Sequence, residues 1–132
     1  MLIVRPEFLG KESTGGKSPT LYATDRNSYV IQGWIVTDFQ ILASVDVPDD
    51  ETLVEITAKL MTHLAKDGLL GRITRFTHPI VHVKPNGNLI VQGARVTDAE
   101  ALAQMDIPDH ETCVEVSKAS MVSLLSEGSA WN

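Results

Sequence analysis

Two glutamates sit sixty residues apart in matching surroundings, Val54-Glu55 and Val114-Glu115, and are the first carboxylates to weigh as a general acid and base. Such a pair works only where the environment pushes the two pKa values apart. Each lies in a stretch that alternates apolar and polar residues, 52–57 and 112–117. Alternation puts Val54 and Ile56 on one side of a strand and Glu55 on the other, so a solvated face is the expectation for both glutamates. The single cysteine, Cys113, occupies the place that Leu53 holds sixty residues earlier, which marks it as apolar filler rather than a nucleophile.

The glycine-rich string from Gly10 to Ser18 invites comparison with a phosphate loop. That motif needs a glycine where Lys11 stands, and a helix behind it to aim amides at phosphate, whereas Pro19 and a strand pattern follow. A surface loop is expected. The acidic turns, 46–51 and 106–111, contain proline and lack the spacing and central glycine of a calcium loop, so they read as solvated turns. His78 and His82 have no cysteine or third ligand nearby in sequence, which leaves zinc without a site. No catalytic residue, metal or cofactor is expected.

Charge narrows the field further. The chain carries 11 basic and 17 acidic side chains, a net charge of −6, which disfavours broad contact with a phosphate backbone. Between Asp67 and Asp98, however, there is no acid, while Arg72, Arg75, Lys84 and Arg95 occur. These four are candidate interaction residues, either as a cationic patch or as one solvated face beside a linker. Trp34 joins them, because Trp34-Ile35 is replaced by Ala94-Arg95 at the equivalent place; a core position for Trp34 is the preferred reading. With one cysteine no internal disulfide can form, and there is neither a signal-peptide pattern nor an apolar run near the roughly 20 residues of a membrane span. A soluble, cytoplasmic protein is expected.

The elements that must position these residues come in pairs. Sixteen of the 36 positions in 29–64 are identical in 89–124, among them Gln32-Gly33 with Gln92-Gly93 and Val36-Thr37-Asp38 with Val96-Thr97-Asp98. Such self-similarity reads as tandem duplication. Residues 1–66 form the first unit, 67–75 a linker, and 76–132 the second. A unit of that size buries only about 60% of its unfolded surface and is marginal alone, so one cooperative domain is expected. First strands are predicted at 20–24 and 80–84, and second strands at 29–36 and 89–96, the latter joined by Asn86-Gly87 turn chemistry. The Gln-Gly steps inside the second strands predict a bulge or a close backbone approach. Thr37 with Gln40, and Thr97 with Glu100, have capping-box spacing for short helices ending near Val45 and Met105. Third strands follow at 52–57 and 112–117, then closing helices capped by Thr57 and Ser117 and reaching about Lys66 and Ser126.

The expected fold is therefore α+β, a tandem duplication of a β-β-α-β-α unit packed with pseudo-twofold symmetry. Tyr29, Ile31 and Ile35 are expected to face Leu89, Val91 and the stem of Arg95 across the contact. Ser28 and Asn88, in the turns, are expected to tolerate substitution.

The run from Ser18 to Arg26, followed by Tyr29-Val30-Ile31-Gln32-Gly33-Trp34, resembles small, uncharacterised actinobacterial (Streptomyces-like) proteins encoded beside helix-turn-helix regulators. These are similar in scale to the BldB-related developmental proteins and the partners of WhiJ-type regulators, and Cys113-Val114-Glu115-Val116 resembles a strand of that group. The resemblance covers about half the chain and implies an accessory protein of transcriptional regulation. The functional expectation is a non-enzymatic regulatory or protein-interaction module, with a helix-turn-helix regulator as the implied partner and a homodimer as one possible assembly. The alternatives are a small-molecule binder or enzyme with a site between the repeats, and DNA binding through the cationic second hairpin.

Overall fold

Two tight turns start the architecture. Asn27 takes a positive φ of 56° between strands β2 (Thr20–Ala23) and β3 (Ser28–Ile35), and Gly87 takes 90° between β5 (Ile80–Val83) and β6 (Leu89–Arg95). Asn86 Oδ1 accepts the Asn88 amide across the second turn at 3.0 Å, which favours this conformation over an open loop. The computed structural model describes residues 7–11, 19–25, 27–69, 73–97, 99–105, 107 and 110–125.

The chain is mixed α/β, and among the described residues the strands join one seven-stranded antiparallel sheet. Strand β1 (Glu7–Lys11) pairs with β2 through a register shift near Phe8 and Gly10. The expected surface loop therefore begins as a strand at Gly10 and Lys11, and residues 12–18 lie outside the described set. Strand β4 (Glu51–Ile56) pairs along its length with β6, and β7 (Glu111–Ser117) pairs along its length with β3. Short ladders complete the set, Trp34↔Glu55 and Ile35↔Val54 between β3 and β4, and Ala94↔Glu115 and Arg95↔Val114 between β6 and β7. Strands β3, β7, β6 and β4 thus close into a ring.

The interior of this ring is the main core. Tyr29, Ile31, Val54, Ile56, Leu89, Val91, Val114 and Val116 are all buried in one cluster. Six successive residues of β3, Ser28 to Gly33, are buried. Both faces of the strand are therefore covered, as its two-sided apolar pattern predicts. Ile35 and Arg95 depart from expectation: each lies at the end of its strand, exposed, and not in the core.

The glycines of the two Gln-Gly steps mark close approaches rather than bulges. A Cβ on Gly33 would lie 2.5 Å from the Glu55 carbonyl oxygen, and one on Gly93 would lie 2.7 Å from that of Glu115. Each glycine stands where its strand leaves the hairpin and meets its short-ladder partner.

Helix α1 (Phe39–Ser44) is capped by Asp38, whose Oδ1 accepts from the Gln40 amide at 2.8 Å and more weakly from Ile41. The cap falls one residue beyond Thr37, because an ionised carboxylate is the stronger acceptor near the positive end of the helix. Helix α2 is Ala99–Met105; Asp98, at its start, lies outside the described residues. The two closing segments differ from each other. Ser117 caps α3 (Lys118–Val122), accepting the Ser120 amide at 3.1 Å. Residues Ala58–Asp67 form a 3-10 helix instead, and the Thr57 hydroxyl is buried with no hydrogen-bond partner among the described residues. Ser126 and residues 70–72 of the linker are outside the described set. No helix among the described residues is long and apolar enough to cross a membrane.

Candidate functional site

The outer faces of the two long ladders carry the polar chemistry, because alternate residues point away from the core. On β3–β7, Val30 and Cys113 pack under α2 against Met105 and Leu102. On β4–β6, Leu53 and Ile90 pack under α1 against Ile41 and Val36. Hydrogen-bonded pairs flank each apolar centre.

At the hairpin end, Ser28 Oγ donates to Glu115 Oε2. Asn88 Nδ2 donates to Glu55 Oε2 at 2.8 Å, and Lys84 Nζ reaches Glu55 Oε1 at 3.1 Å. Neither glutamate is simply solvated: each is half-buried and held. Ser28 and Asn88 are consequently partners of half-buried carboxylates, not indifferent turn positions. At the opposite end Gln32 Nε2 donates to Glu111 Oε1 at 2.7 Å, and Gln92 Nε2 donates to Glu51 Oε1 at 2.7 Å and to the Asp46 carbonyl at 3.0 Å. Glu111 therefore does not belong to a solvated turn; it is buried at the first position of β7. The signal for these pairs is present in the sequence, since the glutamine and the glutamate recur in both halves, but their register is set only by the long ladders.

Of the candidate cations, Lys84 and Arg95 are not brought together. Lys84, at the hairpin, is paired with Glu55. Arg95 lies at the far end of β6, where Nε donates to the Asp49 carbonyl at 3.0 Å. Six residues of extended strand separate Leu89 from Arg95, about 20 Å. Arg75 is beside α3, with Nη1 donating to the Ser123 carbonyl at 3.3 Å. Arg72 lies outside the described residues. Trp34 is half-buried, in register with Glu55 on one side and Glu111 on the other, so it is neither core nor free surface.

Three apolar residues that follow Trp34 in the chain are exposed: Ile35 at 44%, Phe39 at 85% and Leu42 at 41%. Phe39 and Leu42 are three apart on α1 and share the face opposite buried Ile41. The second half has Arg95 and Ala99 at the places of Ile35 and Phe39. A groove of about 300 Å³ borders the other side of α1, lined by Asp38, Gln40, Ser44, His82 and Lys84 among others. An apolar cleft of about 200 Å³ lies elsewhere, between Met61, Phe76 and Leu125. Cys113 is buried, and burial pushes its thiol up to about 11, so it remains protonated and unreactive. No three histidine, cysteine, aspartate or glutamate side chains converge as a metal set among the described residues.

Comparison with protein-family models, with curated proteins and with solved structures finds no match to this chain.

Proposed function

We propose that this chain is a fused pair of β-β-α-β-α copies acting as a non-enzymatic protein-interaction module, an accessory partner of a helix-turn-helix transcriptional regulator in the cytoplasm. Support for the paired copies comes from the ladder registers. Tyr29↔Val116 through Trp34↔Glu111 in β3–β7 correspond, at a shift of sixty, to Leu89↔Ile56 through Ala94↔Glu51 in β4–β6. A pseudo-twofold axis relates such ladders, and the third strand of each copy completes the sheet of the other.

The observation that carries the interaction reading is the exposed apolar set Ile35, Phe39 and Leu42. At exposed positions core packing does not dictate the side chain, so the departure between the copies at Ile35 and Phe39 calls for another reason. The second copy's Arg95 and Ala99 suit solvent, whereas Ile35 and Phe39 in the first copy expose apolar area that a partner would cover. Nucleic acid fits less well, because Lys84 is neutralised by Glu55 and Arg95 stands far from it.

The test is affinity purification from the native host with wild-type chain and with Phe39→Asp. Since Phe39 is outside every core cluster, the variant should fold normally. A DNA-binding regulator recovered by wild type and lost by the variant supports the proposal. Equal recovery by both chains, or recovery of nucleic acid alone, overturns it.

A further inference from the structure

The Gln32–Glu111 pair leaves two acceptors unused. The hydrogen bond from Gln32 Nε2 to Glu111 Oε1 takes a single terminal atom from each planar group. The remaining atoms, Gln32 Oε1 and Glu111 Oε2, are buried and have no hydrogen-bond partner among the described residues. The two residues are 3% and 5% exposed, so bulk water does not serve those oxygens. Buried acceptors without a donor are costly, and each calls for an explanation.

His110 supplies a third atom. Its Nε2 stands 3.3 Å from Glu111 Oε2, within ion-pair reach but off the angle of a hydrogen bond. Two ligands bound tetrahedrally to one zinc-class ion, at about 2.0–2.1 Å each, are themselves about 3.3 Å apart. His110 is half-exposed, which gives an ion a way in.

The corresponding pair in the first half serves as an internal control. There Asp50 replaces the histidine, Gln92 bonds Glu51 in the same way, and neither Gln92 nor Glu51 has a buried unpartnered atom among the described residues. The leftover acceptors occur on the side that has the imidazole.

We propose that Gln32 Oε1, Glu111 Oε2 and His110 Nε2 form a binding site for a divalent transition ion of the zinc class, with water completing its coordination. Imidazole beside carboxylate suits such ions, whereas magnesium and calcium need six or more oxygens. The Gln32 amide holds the carboxylate so that Oε2 faces the ion, as outer hydrogen bonds do in metal sites. Cys113 is not a ligand, since its sulfur belongs to the apolar cluster under α2.

The test is calorimetric titration of the metal-free full chain with Zn²⁺, with Co²⁺ absorption as a second readout of four-coordinate binding. One ion per chain is expected. His110→Ala and Glu111→Gln should each weaken binding at least tenfold, while His110→Cys, which restores a ligand, retains it. Asp50→Ala and Glu51→Gln should bind as wild type does. Glu111→Gln preserves shape and His110 is half-exposed, so metal-free melting curves should match wild type and separate lost binding from lost fold. Absence of Zn²⁺ binding overturns the proposal, as does binding that survives both His110→Ala and Glu111→Gln or disappears with His82→Ala.

Discussion

Replacing Gly33 with alanine tests whether ring closure depends on close backbone contact. In an ordinary strand the change is mildly favourable, since removing a glycine from the unfolded chain contributes about 0.4–1 kcal/mol. Here the added Cβ would sit 2.5 Å from the Glu55 carbonyl oxygen and 2.8 Å from Ile56 Cγ2. The first obstacle is backbone and cannot rotate away; the second is fully buried in the main core. Overpacking of a tight core costs about 1–3 kcal/mol, and an immovable carbonyl places Gly33→Ala at the upper end, about 3 kcal/mol. For a chain of this size that lowers Tm by roughly 10 °C. Gly87→Ala is the contrast: nothing lies within 4 Å, and only its positive φ of 90° opposes the change, at about 1–2 kcal/mol. The assay is thermal and urea unfolding followed by circular dichroism. A Gly33→Ala protein that melts at or above the wild-type temperature would refute the close-approach argument, and with it the ring.

Three further outcomes are expected. Ile31→Asp or Val91→Asp should abolish folding, because each buries an unpaired carboxylate inside the ring; a cooperative melt in either variant would contradict the placement. Unfolding of the wild-type chain should be one transition by fluorescence and circular dichroism together, since the long ladders join residues from both halves; two separated transitions would contradict it. The thiol of Cys113 is raised from 9.0 to about 11 by burial, so its contribution to stability is whole below about pH 9 and is lost as the unfolded thiol ionises towards pH 11. The slope is about 1.4 kcal/mol per pH unit in that window, and Cys113→Val should remove that component of the pH dependence; an unchanged slope in urea titrations at pH 9 to 11 would rule it out.

Much of the local structure is legible in the sequence, and the partners across the ring are not. Asn86-Gly87 announces its turn because positive φ is a local property, and Gln32-Gly33 announces a bulge or a close approach, between which the neighbouring Glu55 carbonyl decides. The Asp38 cap differs from the Thr37 prediction by one residue, a choice between neighbouring acceptors in which the carboxylate prevails. The 3-10 helix at Ala58–Asp67 replaces an expected α-helix, and Thr57 does not cap as Ser117 does. Glu111 owes its place to register alone. Read along the chain it ends an acidic turn, and only its register beside Gln32 makes it a buried carboxylate. The cationic residues show the same limit: Lys84 and Arg95 are close in sequence and share a hairpin, yet the strand between them holds them apart.

The pairing of β3 with β7 also orders events during synthesis. Ser28 and Glu115, bonded across this ladder, are 87 residues apart in the chain. Strand β3 emerges early from the ribosome, but the edge that β7 fills stays open until nearly the whole described sequence has been made. Contacts of such long sequence separation slow folding, and an unfilled edge is a template for the wrong neighbour. A product that terminates before Glu111 would present the exposed edge of β3 and a main core lacking Val114, Val116, Met121, Leu124 and Leu125, a form prone to aggregate and dependent on chaperones.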